Sequence, residues 1–160
     1  MTPMTPTSTF ANADQALIHR FLAGNGDPLP MDSNPLARAL GAKLCVVDQE
    51  RQQVVIEFDP DALFIQGTGV LQGGAVSAML DFAMAFAVLA QVPAGVSCAT
   101  VSMTTSFLRA APQGLYLATG EIERCGKTLA FTHARLSRRD AEHDTVVATA
   151  SSTLALLQQG

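Results

Sequence analysis

The 160-residue sequence predicts an α+β fold, one long central helix wrapped by a curved antiparallel β-sheet. Three observations predict it. First, Ala75 to Leu89 is almost purely apolar and rich in the helix formers Ala, Leu and Met, with only Ser77 and Asp81 interrupting it. A helix that is apolar all round is a buried helix, so it needs something wrapped around it. Second, the hydrophobic period changes to two on either side of this stretch. Third, the later strands follow one another without intervening helices, which argues for antiparallel pairing and against an α/β arrangement.

Each element follows from local pattern. Met1 to Thr9 is Thr/Pro-rich, and residues 1–10 are expected to form a disordered tail before a single domain over residues 11–160. Asn12 or Asp14 can cap a short helix through Phe21, with Leu17, Ile18, Phe21 and Leu22 as its apolar stripe. The run Gly24-Asn25-Gly26-Asp27-Pro28 ends it. Asn34-Pro35 opens a second short helix, which Gly41 closes. Lys43 to Asp48 and Gln52 to Phe58 read as strands joined by Gln49-Glu50-Arg51, with Val54, Ile56 and Phe58 on one face. Asp59-Pro60-Asp61 breaks the pattern. Leu63 to Ile65 leads into the glycine-rich stretch Gln66 to Gly74 and then the long helix, which Gln91 to Gly95 terminates. Ser97 to Leu108 alternates, predicting Val101, Met103 and Phe107 on one face and Thr100, Ser102, Thr104 and Ser106 on the other. Leu115 to Arg124, Lys127 to Leu136 and Thr145 to Leu157 complete the sheet, with turns at Ala111 to Gly114, Gly126 and Arg138 to Glu142. No internal repeat or linker marks a second domain.

Composition narrows the function classes. Hydrophobic residues make up 48% and charged residues 15%, which suits a compact domain with surface to spare for an oligomer. A net charge of -4 gives no electrostatic reason to expect a nucleic-acid partner. Cys45, Cys98 and Cys125 are widely spaced and odd in number, which fits free thiols in a reducing compartment, buried as small hydrophobes. The first residues lack the basic and apolar regions of a signal peptide, and the central helix is short for a membrane span and carries Asp81 at its middle. A cytoplasmic protein with no membrane partner is expected. His19, His133 and His143 are isolated, and no spacing suggests a metal site or a nucleophile–His pair.

The chemistry concentrates at the start of the central helix. Gly73 and Gly74 fall where helical N–H groups lack intrahelical partners, at the positive end of the dipole. Without side chains they let a substrate oxygen reach the backbone, as an oxyanion site requires. The alternative is a glycine turn needed only for tight helix–sheet packing. Gly67 to Gly73 imitates a dinucleotide fingerprint, but the spacing is one residue too long and no βαβ unit surrounds it. Asp81 is the anomaly, since an ionised carboxylate is rarely buried unpaired. Ser77 lies one turn earlier on the same face. Asp81 lies about 12 Å along the helix from Gly73, at 1.5 Å per residue. It is therefore either a structural acid bonded to a neighbouring strand, or it serves the helix start of a symmetric partner, in a dimer with two interfacial sites. The strand hydroxyls from Thr100 to Ser106 can hold a water or form an ordinary solvated face. Arg109, Arg124 and Lys127, near strand ends or turns, are candidates for phosphate contacts or plain surface charge.

The stretch Gln66 to Asp81, the strand Thr100 to Phe107 and the turn Gly126-Lys127-Thr128-Leu129-Ala130-Phe131 together resemble the hotdog-fold acyl-CoA thioesterases, specifically the phenylacetate-pathway-like branch. The resemblance covers roughly Leu40 to Leu157. It implies a long helix wrapped by an antiparallel sheet, subunits paired through their sheets, and a homodimer or a homotetramer made of two dimers. It implies hydrolysis of an acyl-CoA, with Asp81 as nucleophile or general base, the Gly73 N–H polarising the thioester carbonyl, and Thr100 helping to hold the attacking water. The family usually has His before the glycine pair, where this chain has Gln72, and often Asn at the head of the loop, where it has Gln66. Both substitutions keep an amide that can donate a hydrogen bond. Gly74, Ser77, Arg109, Arg124 and Lys127 are then expected to bind substrate. No separate cofactor is implied, because coenzyme A is part of the substrate. The rival reading is a non-catalytic acyl-CoA or acyl-carrier binding protein. A hotdog dehydratase ranks lower, since such enzymes usually rely on a catalytic His and none stands in the motif.

Overall fold

A computed structural model describes residues 10 and 12–158, so the expected tail lies outside the described residues apart from Phe10. Helix α1 (Ala13–Ala23) starts at Asn12, whose side chain accepts from the N–H groups of Asp14 and Gln15. Its inward stripe holds Gln15, Leu17, Ile18 and Phe21, whereas Leu22 is exposed. Strand β1 (Leu29–Pro30) is too short to show a period of two, and the sequence pattern does not signal it. Helix α2 (Pro35–Ala39) is capped by Asn34 with proline in its first turn, as expected. Strands β2 (Lys43–Asp48) and β3 (Gln53–Phe58) form the expected hairpin, and Val54, Ile56 and Phe58 are fully buried. A single 3-10 turn (Ala62–Phe64) precedes the glycine-rich loop.

Helix α3 (Gly73–Leu89) is the long helix. Strands β4 (Val96–Phe107), β5 (Tyr116–Cys125), β6 (Leu129–Arg138) and β7 (Thr145–Gln158) follow it in succession. All described pairings are antiparallel, in one seven-stranded sheet of order β1-β2-β3-β5-β6-β7-β4. The sheet packs on α3, whose Met79, Leu80, Ala83 and Met84 are fully buried. A close approach is at Gly120 of β5, where a Cβ would lie 2.2 Å from the Ala83 carbonyl oxygen. At the other end of α3, the buried Gln15 amide donates to the carbonyls of Val92 and Pro93, both at 3.1 Å, tying α1 to the chain just past the helix.

Two expectations are corrected. The helix is not buried all round: Gly74, Ser77, Ala78, Asp81, Phe82 and Ala85 form a partly open stripe along one side. Ser77 and Asp81 of that stripe face β4, which is the last strand of the sheet, so no further strand among the described residues covers the seam between them. The simple alternation of β4 also fails. Thr100 pairs with Leu154 and Ser102 with Thr153, which leaves Val101 as an extra residue in a bulge. Val101 therefore points out and is 63% exposed, while Thr100 turns to the helix side with Met103, Thr105 and Phe107.

Candidate active site

The seam between α3 and β4 carries a ladder of polar contacts. The Thr100 hydroxyl donates to Asp81 Oδ1 at 2.7 Å. One turn toward the start of α3, the Ser77 hydroxyl reaches the Thr105 hydroxyl at a longer 3.4 Å. One turn the other way, the Cys98 thiol lies 3.8 Å from the Ala85 carbonyl oxygen. Asp81 is half-buried rather than enclosed, and its Oδ2 has no protein donor among the described residues. Burial, and then the nearby Asp81 charge, push the Cys98 thiol up to about 12. A thiol held neutral is a poor nucleophile. None of the three cysteines is fully buried, and Cys125 is exposed.

The helix start is fixed by the loop before it. The Gln66 N–H donates to the Val70 carbonyl at 2.8 Å, and Gln66 Oε1 accepts from the Thr68 N–H at 2.7 Å. The Leu71 and Gln72 N–H groups donate to the Ala111 and Phe64 carbonyls, both at 2.7 Å, which anchors the approach to α3. Gln72 is the N-cap residue, exposed, with its side chain bonded to no helix N–H. Among the described residues the Gly73 and Gly74 N–H groups find no acceptor, as expected for the first turn of a helix. A cleft of about 420 Å³ opens beside Gly73, lined by Val76, Phe107, Arg109 and Val147 among others. Arg109 Nη1 donates to the Val146 carbonyl at 2.9 Å, which holds the side chain at the cleft rim.

Within one chain the structure brings together Gln72, Gly73, Gly74 and Arg109 at the helix start, and Asp81 with Thr100 farther along the seam, while the Gln66 side chain accepts from Thr68 within the preceding loop. Ser77 lies between the two groups. Arg124 and Lys127 do not join them. The β5–β6 hairpin that carries both pairs through Leu129 with Ala155, which pairs with Ala99 near the beginning of β4. Both cations thus sit toward the far end of α3, where Lys127 lines a second cleft of about 480 Å³ with Gln91 and Pro93.

Sequence reasoning missed three features. Phe107 stands against the helix start: a Cβ on Gly73 would lie 3.3 Å from its Cζ. Thr105 is a hydroxyl on the helix-facing side of β4, in line with Met103 and Phe107, that the apolar pattern passes over. On the outer face of the sheet, His133 is not isolated. Its Nε2 lies 3.0 Å from Glu121 and its Nδ1 3.1 Å from Glu123. A hydrogen bond from Gln53 is the main cause that holds the Glu121 carboxyl below the usual range. That cluster lies across the sheet from the seam. Among the described residues no group of three or more His, Cys, Asp or Glu could hold a metal ion, and no helix is long and apolar enough to cross a membrane.

The fold defines a class, and comparison with known proteins agrees. The family model described as the thioesterase superfamily matches residues 68–150, just over half of the chain, and the chain belongs to that superfamily. A phenylacetic acid degradation-related protein from Ralstonia eutropha is 32% identical, with 87% of this chain and 98% of that chain covered and a TM-score of 0.73. A thioesterase family protein from Silicibacter pomeroyi is 23% identical, with 91% and 98% covered and a TM-score of 0.75. The PaaI protein from the phenylacetic acid degradation operon of E. coli is 18% identical, with 94% and 98% covered and a TM-score of 0.72. No curated protein matches the sequence. The architecture is the hotdog fold that the sequence led us to expect, and membership of the superfamily supports thioester hydrolysis in general.

Proposed function

We propose that the protein hydrolyses an acyl-CoA thioester to the free acid and coenzyme A, at sites shared between two subunits. The observation that carries this is the Asp81 carboxylate on the open stripe of α3. One oxygen is held by Thr100 at 2.7 Å and the other is left available. The thioester oxygen binds the unpaired Gly73 N–H at the positive end of α3. Gln72 adjoins that amide and, exposed and uncommitted, is free to donate to the same oxygen, with Gln66 in the loop before it as a second candidate donor.

Asp81 takes a proton from water while the water oxygen bonds to the carbonyl carbon, and the carbonyl electron pair moves onto oxygen. The Gly73 amide holds that oxyanion. When the intermediate collapses, the C–S bond breaks and the proton on Asp81 passes to the departing CoA thiolate. If Asp81 instead attacks directly, a mixed anhydride forms and water then cleaves it. A single turnover in ¹⁸O-water separates the two, because only the anhydride route can leave label in Asp81. Eight residues of helix, about 12 Å, separate Gly73 from Asp81, so the Asp81 that serves one helix start comes from the other subunit. The edge strand β4 has a free side that suits such pairing. The state is then a dimer or a dimer of dimers. Arg124 and Lys127, brought by the partner's hairpin, supply charge for the CoA phosphates, and Arg109 stands at the rim of the cleft beside Gly73. The protein works in the cytoplasm, where its substrate is made and its thiols stay reduced.

The test is thiol release from a panel of acyl-CoAs by the protein and by Asp81→Asn. We expect the variant to lose roughly 10²–10⁴-fold in kcat, the usual contribution of a positioned acid or base, with an unchanged melting temperature because Asp81 is only half-buried. Full activity in Asp81→Asn removes that residue from the mechanism. Acyl-CoA binding without hydrolysis across the panel makes the protein a binding module instead.

A further inference from the structure

We propose that Phe107 is the specificity-determining wall of the acyl subsite, and that the subsite takes a compact, apolar acyl group. The inference rests on the thioesterase reading above and adds to it which arm of the substrate enters the cleft beside Gly73, and what limits its size.

A thioester whose oxygen sits on the Gly73 N–H extends two arms, the acyl group and the pantetheine chain. Apart from Gly73 and Arg109, every residue that lines the cleft is apolar. Pantetheine carries amide groups, and an amide buried without partners is costly. The floor of Leu71, Val76 and Val147 offers it no polar side chain. The acyl arm therefore belongs in the cleft, and the pantetheine arm runs out along the polar seam, past Ser77 and Thr105.

The floor and the wall differ in how freely they can yield. Leu71, Val76 and Val147 are only 3–4% exposed and belong to the core, so they cannot shift without disturbing it. Phe107 is 57% exposed, the sole aromatic residue of the lining, and its ring stands against the glycine whose amide would hold the carbonyl. Space next to the reacting carbon is thus set from one side by fixed core residues and from the other by this ring. The same exposure means that changing Phe107 removes little folded-state packing.

The experiment measures kcat and KM separately for the protein, Phe107→Ala and Phe107→Leu. The substrates are straight-chain acyl-CoAs from acetyl to palmitoyl, together with benzoyl- and phenylacetyl-CoA. We expect the unmodified protein to favour compact acyl groups over palmitoyl. Phe107→Ala shifts the optimum to larger groups and changes the ratio of kcat/KM between large and small substrates by about tenfold or more, the scale of steric discrimination in an apolar pocket. Phe107→Leu falls between the two and keeps the measurement available if the alanine variant folds poorly. An unchanged rank order in both folded variants overturns the role of Phe107 while leaving hydrolysis standing. No cleavage of any substrate by the unmodified protein overturns the thioesterase reading, and this inference with it.

Discussion

At the scale of single residues, the proposed chemistry depends on how Asp81 is held. A carboxylate on a helix can rotate among several staggered positions, and only some of them aim an oxygen into the seam. The Thr100 hydroxyl has one proton to give and donates it to Oδ1. That bond restricts the rotamer and leaves Oδ2 without a donor among the described residues; in the proposed mechanism Oδ2 accepts the water proton. Hydrogen bonds to charged groups contribute about 1.5–3 kcal/mol. Thr100→Val, which keeps the shape and removes the donor, is expected to lower kcat by roughly tenfold or more. Thr100→Ser, which keeps the donor, should recover most of it. Steady-state kinetics on the pair is the check, and equal kcat in the valine and serine variants would show that the hydroxyl positions nothing.

At the scale of elements, α3 is placed by one close crossing. A Cβ at position 120 would lie 2.2 Å from the Ala83 carbonyl oxygen, a contact that only movement of backbone could relieve. Gly120→Ala would therefore push α3 away from β5 and loosen the core on both sides. Overpacking of this kind costs typically 1–3 kcal/mol, and the upper end is expected because the obstructing atom is backbone. Urea denaturation measures it, and a midpoint unchanged from that of the parent would contradict the crossing. The same scale shows what the sequence makes legible. The apolar run from Ala75 to Leu89 and the alternation of Val54, Ile56 and Phe58 report their own burial, because period and composition are local properties. The bulge at Val101 is not local: whether one extra residue is absorbed there depends on the register with Leu154 and Thr153 on β7. Strict alternation therefore misplaces Thr100, the residue of that strand that bonds Asp81. His133 is hidden for a similar reason, since Glu121 and Glu123 reach it from the neighbouring strand. Gly120, by contrast, is in plain view, but nothing in the sequence says which helix carbonyl lies over it.

At the scale of the whole molecule, the proposed mechanism turns on which subunit's Asp81 serves which Gly73, and a mixing experiment decides it. Gly73 is the first helical residue, preceded by Gln72 in an extended conformation at φ -60 and ψ 136. Proline is well tolerated at that helical position, and an extended residue before it is what proline prefers. Gly73→Pro therefore deletes the N–H while keeping the backbone path, with the exposed Phe107 ring able to move aside. Loss of one oxyanion donor costs about 10²–10³ in kcat. Asp81→Asn is equally crippled, but its Gly73 amide is intact. If a site combines the helix start of one subunit with the carboxylate of the other, a hybrid of the two variants holds one complete site and one doubly broken site. Random reassortment of equal amounts into dimers makes about half of them hybrids, so thiol release should recover to about a quarter of the parent rate. If Asp81 acts on the helix start of its own chain, no hybrid contains a complete site, and the mixture stays as inactive as its components. The exchange needs only unfolding and refolding of the two variants together, with each refolded alone as the control.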